Sequence, residues 1–316
     1  MIFWSICRSK RPGRTYVPRE GVSVQSTLFD AEFMRKLETL RLLARKVFRG
    51  QSQNDRTTLR RGMGLEFSDY RRYHAGDDFR YIDWNVYSRL DRLFLKVFTA
   101  EEDLTIHLLV DASQSMQVGT PPKLDYARRV AAALGYIGLN GLDRVGAVSF
   151  ADELGRPLPP QRGRQQIFAL FRYFEALQGQ GGTDLNRVLS NYARQSSKGG
   201  LAIVLSDLLD ANGYARGLDA LAYGRFDVLV IQLVDETEIN PPFEGALRLH
   251  DIESAQQRRL TVNRRMLELY RQKVVDYFTQ IETFCAKRNI EYLRASTTVP
   301  FEDVILRYLR RGFYLQ

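Results

Sequence analysis

A chain of 316 residues with 44% hydrophobic and 11% aromatic content can build a large core, which excludes a mostly disordered protein and leaves one extended α/β domain or two domains. Its two cysteines, Cys7 and Cys285, stand far apart without metal-ligand spacing, which excludes a disulfide scaffold and suits a reducing compartment. The net charge of +9 belongs to residues 1–62, where 14 Lys and Arg meet 5 Asp and Glu, while the rest carries 32 of each sign.

Residues 1–29 read as a basic lead-in. Met1 to Cys7 is a short apolar stretch followed by Arg8, Lys10 and Arg11, the reverse of the order in a secretory signal, and Pro12, Gly13 and Pro18 favour extended chain. No run of about 18 to 20 apolar residues occurs, so no spanning helix is expected. The expected location is cytoplasmic, with a peripheral membrane contact through the basic arm as the alternative. The same arm could meet nucleic acid or an acidic partner, or simply be a solvated surface.

An amino-terminal extension is expected over residues 30–100. Asp30 caps an amphipathic helix to about Phe48, with Phe33, Leu37, Leu40, Leu43, Ala44 and Val47 as its apolar stripe. The run from Gly62 to Trp84 interleaves aromatics with both charge signs, which predicts cation–π contacts and Arg–carboxylate pairs. His74 beside Asp77 and Asp78 could serve catalysis, but a histidine among acids more often has a structural role. Leu93 to Thr99 alternates as a strand.

Residues 101–316 are expected to form the main domain. The apolar run from Leu104 ends at Asp111, as a parallel strand buried on both faces would. Pro121 and Pro122 open a helix carrying Leu124, Ala127, Val130, Ala131, Leu134 and Ile137 on one face. Strands are predicted over 143–150, 201–205, 227–234 and 290–295, with a short edge strand or turn in 153–160. Helices are predicted over 165–177, 185–195, 214–223, 263–287 and 301–311. The stripe of the first of these includes Ile167, Phe168, Leu170, Phe171, Phe174 and Leu177. That of the long helix after Asn263 begins at Met266 and Leu267. Residues 235–262 interrupt the alternation as an insertion, with 247–252 and 258–262 paired as a hairpin. The pattern predicts an α/β fold with a mostly parallel sheet and helices on both faces.

Chemistry concentrates at three loops. Asp111, Ser113 and Ser115 place a carboxylate and two hydroxyls at the carboxyl end of a strand, where open α/β sheets bind ligands. Taken alone, Asp111 or Ser113 could merely cap the next helix. Two further loops add to it: Gly181-Gly182-Thr183 supplies a hydroxyl, and the strand from Leu201 ends at Ser206-Asp207. This set of oxygen donors suits a hard divalent cation, Mg2+ or else Mn2+ or Ca2+. The trio resembles the metal-ion-dependent adhesion site of von Willebrand factor A domains. That resemblance implies metal contacts from Asp111, Ser113, Ser115, Thr183 and Asp207, directly or through water.

The run EFSDYRRYHAGDDFRYIDWNVYSR, placed just before the metal loop, resembles the bacterial family catalogued as domain of unknown function fifty-eight. Gly76, Asp77, Asp78, Arg80, Ile82, Asp83 and Trp84 carry its signature. The likeness extends from about Arg60 to the carboxyl end. It implies a von Willebrand A-like fold and a MoxR-type AAA+ ATPase as partner. Many members carry membrane helices near the amino terminus, which this chain lacks.

The function expected from these residues is a metal-dependent protein–protein interaction module in which a partner's acidic side chain completes the metal shell. It is not expected to be an enzyme or to take a small-molecule substrate. The alternatives are a metal-assisted phosphoesterase or peptidase, for which the metal loops offer no histidine base, and nucleic-acid binding through the basic arm.

Overall fold

The computed structural model describes residues 5–7, 28–51, 66–74, 77–99, 104–196, 199–242, 245–250 and 257–311. Along the chain the elements are β1 (Ser5–Cys7), α1 (Ala31–Gln51), β2 (Glu66–Arg72), α2 (Trp84–Leu90), β3 (Phe94–Thr99), β4 (Thr105–Asp111), α3 (Lys123–Asn140), β5 (Arg144–Phe150) and β6 (Leu158–Gln161). They continue with α4 (Arg164–Glu175), α5 (Leu185–Gln195), β7 (Gly200–Ser206), α6 (Ala215–Ala222), β8 (Phe226–Val234), α7 (Glu236–Ile239), β9 (Gly245–His250), β10 (Gln257–Val262), α8 (Arg264–Ala286), β11 (Glu291–Ser296) and α9 (Phe301–Arg311). Two compact units result, residues 1–42 with 104–316, and residues 43–103.

The larger unit is built on a six-stranded sheet of order β11-β8-β7-β4-β5-β6. Every neighbouring pair is parallel except β5 and β6, where the short strand with Pro159 and Pro160 runs antiparallel at the edge. An edge is where proline is tolerated, because its missing N–H leaves no ladder bond unmade. All seven residues of β4 are buried, as the apolar run predicts for a strand covered on both faces.

The two faces divide the helices between them. On one, Leu109, Val148, Val204, Val228 and Val230 pack with Leu185 and Leu189 of α5, Leu218 and Leu221 of α6, and Ile281 and Cys285 of α8. On the other, α3 lies so close to the sheet that a Cβ on Gly135 or Gly138 would meet Leu108, Val145 or Ile106. Helices on both faces of a mostly parallel sheet make the α/β architecture expected from the sequence. Strand order reverses at β4, which lies between β5 and β7, so the loops after β4 and β7 leave toward opposite faces of the sheet, the position where open α/β sheets bind ligands.

α1 begins where expected, with Asp30 Oδ1 accepting from Phe33 N at 2.8 Å. Phe33, Leu37, Leu40 and Ala44 are buried, and the Phe33 ring meets Phe171 of α4 and Phe301 of α9. Leu43 does not join the stripe but faces solvent, and the side chain of Val47 lies outside the described residues. In α4 the buried face is Gln166, Leu170 and Phe174, and Phe168 is 65% exposed. Two positions along a helix turn a side chain about 200° around the axis, so Phe168 points away from both neighbours on that face. Met266 likewise sits off the face of α8 that buries Leu267, Val274, Phe278 and Ile281.

The insertion forms the expected hairpin, β9 with β10, and adds a short helix, α7, that the pattern did not announce. The chain start joins it: Ser5, Ile6 and Cys7 pair antiparallel with His250, Leu249 and Arg248.

In the smaller unit, β2 and β3 pair antiparallel with an irregularity between Phe67 and Asp69. A 3-10 turn over Phe79–Tyr81 leads to α2. Among the described residues no helix is long and apolar enough to cross a membrane.

Candidate metal centre

Asp111 ends β4, and Asp207 follows β7, the parallel neighbour of β4. Both carboxylates therefore belong to one rim of the sheet. Asp111 is fully buried, its Oδ1 accepting from Ser113 N at 2.9 Å and its Oδ2 from Ser206 Oγ at 2.6 Å. The Ser206 hydroxyl in turn accepts from Leu208 N at 3.0 Å, so the last side chain of β7 braces the carboxylate at the end of β4. Ser113 Oγ and Ser115 Oγ stand 3.0 Å apart. Asp207 Oδ1 accepts from Leu209 N at 3.0 Å, and the Asp207 carbonyl accepts from the Gln232 amide at 3.0 Å.

The glycine-rich loop is stitched to the first metal loop by its backbone. Gln114 N donates to Gly181 O at 3.1 Å and Gln180 N to Ala112 O at 2.8 Å. Gly181 has φ +73, a left-handed conformation that glycine adopts without strain. Thr183 stands half-buried just beyond this seam, and Asp184 caps α5 by accepting from Arg187 N at 3.0 Å. Asp111, Ser113 and Asp207 thus lie buried, while Ser115 and Thr183 are half-open.

The electrostatics of the rim favour a cation. Burial, and then the charge of Asp207, push the Asp111 carboxyl up to about 7, against the bonds from Ser206 and Ser113 that favour its ionised form. The negative charge that Asp207 adds at the buried Asp111 carboxyl is what a divalent ion would relieve. Among the described residues no three His, Cys, Asp or Glu side chains converge as metal ligands, so two carboxylates with hydroxyls and water would have to suffice. Magnesium accepts that arrangement. The donor set fits the expected ion.

Sequence reasoning missed the residues that surround the pair. Lys123, the first residue of α3, is wholly buried, and its Nζ donates to Asp207 Oδ2 at 2.7 Å and to Glu238 Oε1 of α7. Burial alone would lower its pKa, but the charges of Asp207 and Glu238 hold the ammonium above its ordinary value. Glu238 Oε2 accepts from Asp235 N at 3.1 Å in a capping box. Asp210, also buried, accepts from Leu185 N at 2.7 Å and Asn212 N at 2.7 Å and so ties the loop after β7 to the start of α5. From α8, the Tyr270 hydroxyl donates to Glu238 O at 2.7 Å and the Tyr277 hydroxyl to Leu208 O. No local pattern could have announced the pairing of Lys123, because its partners lie 84 and 115 positions away along the chain.

In the smaller unit the acids of the expected signature build local structure. Asp77 accepts from His74 N at 2.9 Å and pairs with Arg71 at 2.7 Å. Asp78 caps the 3-10 turn and takes the Arg80 guanidinium in a forked contact. Asp83 caps α2 through Asn85 N and Val86 N and also accepts from the Tyr70 hydroxyl at 2.8 Å and pairs with Lys96 at 3.1 Å. Ile82 is buried and bridges to Leu95. Trp84 is 61% exposed, edge-on to Tyr87, and Phe79 is exposed as well. Gly76 lies outside the described residues.

Residues 69–277, which hold the whole of this signature and all of the metal loops, match the family described as protein of unknown function DUF58. The chain belongs to the DUF58 family. Uncharacterized proteins of Mycobacterium bovis and Mycobacterium tuberculosis are 29% identical to it over 260 residues, which is 81% of this chain and 81% of each relative. Among solved structures, it is similar to the conserved hypothetical protein BatB from Bacteroides thetaiotaomicron (17% identity, TM-score 0.42, 66% of this chain and 98% of that one). It is also similar to the SpRpn10 VWA domain (8% identity, TM-score 0.38, 65% of this chain and 95% of that one).

Proposed function

We propose that this DUF58 chain is a metal-dependent protein–protein interaction module, working with a MoxR-type AAA+ ATPase in assembly, chaperone-like or metal-insertion processes. The observation that carries the reading is the fully buried Asp111 held beside Asp207 at one sheet rim, with the Ser113 and Ser115 hydroxyls and the Thr183 loop around them. Asp111, Ser113, Ser115, Thr183 and Asp207 would hold Mg2+, with Mn2+ or Ca2+ as substitutes, and the ion would supply a Lewis-acidic position for a carboxylate of the partner. The half-open hydroxyls of Ser115 and Thr183 leave that position reachable from outside.

The protein's own groups prepare the rim for this. Ser206 and the Ser113 amide fix the Asp111 carboxylate in one orientation, the Leu209 amide fixes Asp207, and the backbone seam to Gly181 keeps the threonine loop in register. A non-catalytic role is favoured because the three histidines of the sequence, at positions 74, 107 and 250, fall outside the metal loops. His107 lies at the start of β4, its ring Nδ1 within 2.7 Å of the Tyr192 hydroxyl. Affinity capture of a MoxR-type ATPase from the native cell tests the proposal. Capture should require Mg2+, vanish with chelator and vanish in Asp111→Ala; capture indifferent to chelator and to Asp111 would overturn it.

A further inference from the structure

Lysine is a poor choice for the place Lys123 occupies. It opens α3, where the positive end of the helix dipole disfavours a cation, and its side chain is fully removed from water. Burial of an ammonium is tolerated only when it is closely paired, and the pairing here is specific: Asp207 from the loop after β7 and Glu238 from α7, residues 84 and 115 positions away. One of those two partners is a carboxylate of the candidate metal set, and the ammonium takes its Oδ2 while Leu209 N takes its Oδ1.

We infer that Lys123 is a tethered competitor for the metal: its ammonium already neutralises Asp207, so the free chain binds a divalent cation weakly and holds it firmly only when a partner's carboxylate joins the shell. The inference rests on the metal-dependent reading above and adds to it the way in which binding is controlled. A dication drawn to Asp111 and Asp207 must either share Asp207 with a positive neighbour or displace that neighbour toward Glu238. Either alternative lowers its affinity. An incoming carboxylate restores the negative charge that Lys123 cancels, so metal and partner bind with positive coupling, each raising the affinity of the other. Glu238 is the receiving end of this arrangement. It is anchored through its second oxygen by Asp235 N and through its carbonyl by Tyr270, so the lysine keeps a counter-ion in both conditions.

The test is Mn2+ and Mg2+ binding to the purified full chain by calorimetry and by paramagnetic resonance of Mn2+, with thermal melting in parallel. Wild type is expected to bind with a Kd of the millimolar order found for weak protein sites for hard cations. The variant K123M/E238Q removes the ammonium together with one of the two carboxylates it would orphan, leaving Asp207 for the metal. It should bind about tenfold or more tightly, since a like charge no longer contacts a ligand group. Mg2+ should raise its melting temperature more than that of wild type, and adding Asp111→Asn should abolish the gain. K123Q, whose amide can still donate to Glu238, should shift the affinity in the same direction if the double variant does not fold. Micromolar binding by wild type, or unchanged affinity in a folded lysine variant, would overturn the inference alone when wild-type binding is still lost in Asp111→Asn. No metal binding by any of these proteins would overturn both the inference and the reading on which it rests.

Discussion

Truncating Lys123 to alanine should be among the most damaging single changes available in the larger unit. The side chain is fully enclosed, and its loss leaves Asp207, also buried, and Glu238, largely so, facing one another and Asp111 with no cation between them. Breaking a buried ion pair by removing one partner costs about 3–5 kcal/mol, because the surviving charge has neither water nor counter-ion. For a domain of this size each kcal/mol moves the melting temperature by about 2–4 °C, so K123A should melt roughly 6–20 °C lower. The neutral replacement K123M/D207N/E238Q removes all three charges at once and should recover most of that loss, since buried pairs exchanged as a set are often close to neutral. The assay is unfolding in urea and on heating in chelator, followed by circular dichroism. A K123A chain within about 1 kcal/mol of wild type would refute the reasoning, because an orphaned buried carboxylate cannot be that cheap.

A pH effect is expected in the smaller unit. The Tyr70 hydroxyl, with support from Lys96 and the amides of Val86 and Asn85, lowers the Asp83 carboxyl to about 2. A depressed acid contributes stability that is complete above its unfolded value, about 4, and is lost as pH falls through about 2. Exchange of the Asn85 and Val86 amides, read by NMR, should therefore quicken as pH falls across that window after correction for intrinsic rates, and Asp83→Asn should remove the pH dependence; a wild-type profile as flat as the variant's would count against the cap. At the other extreme, burial pushes the Cys285 thiol up to about 12, far from the thiolate that reacts. In a Cys7→Ser chain, a disulfide reagent at pH 8 should label Cys285 only after denaturant is added, and rapid labelling of the native protein would show that α8 does not seal it.

The strands of the six-stranded sheet and most helices were legible because their signal is local. A strand buried on both faces has no polar side to alternate with, so β4, β7 and β8 appear as unbroken apolar runs. The capped, striped helix at Asp30 follows from spacing alone. Phe168, Leu43 and Met266 were misplaced on buried faces because apolar spacing defines a stripe only to within its margins, and the partner surface decides which margin is covered. Gln166 takes a core position in α4 because its amide donates to Val145 O and Pro159 O, acceptors that a linear pattern cannot supply.

What the sequence determined by itself was therefore the order and type of the elements of the six-stranded sheet and its flanking helices, the family signature, and which oxygen-bearing side chains end strands. Hydrophobic period and the chemistry of chain turns act between residues a few positions apart, and they are written in order along the chain. Only the tertiary structure decided that β4 and β7 lie side by side, that Ser5–Cys7 joins the hairpin, and that a lysine opening α3 is enclosed between Asp207 and Glu238. The energy of a buried charge depends on what surrounds it in space, and those surroundings do not exist until distant segments have met.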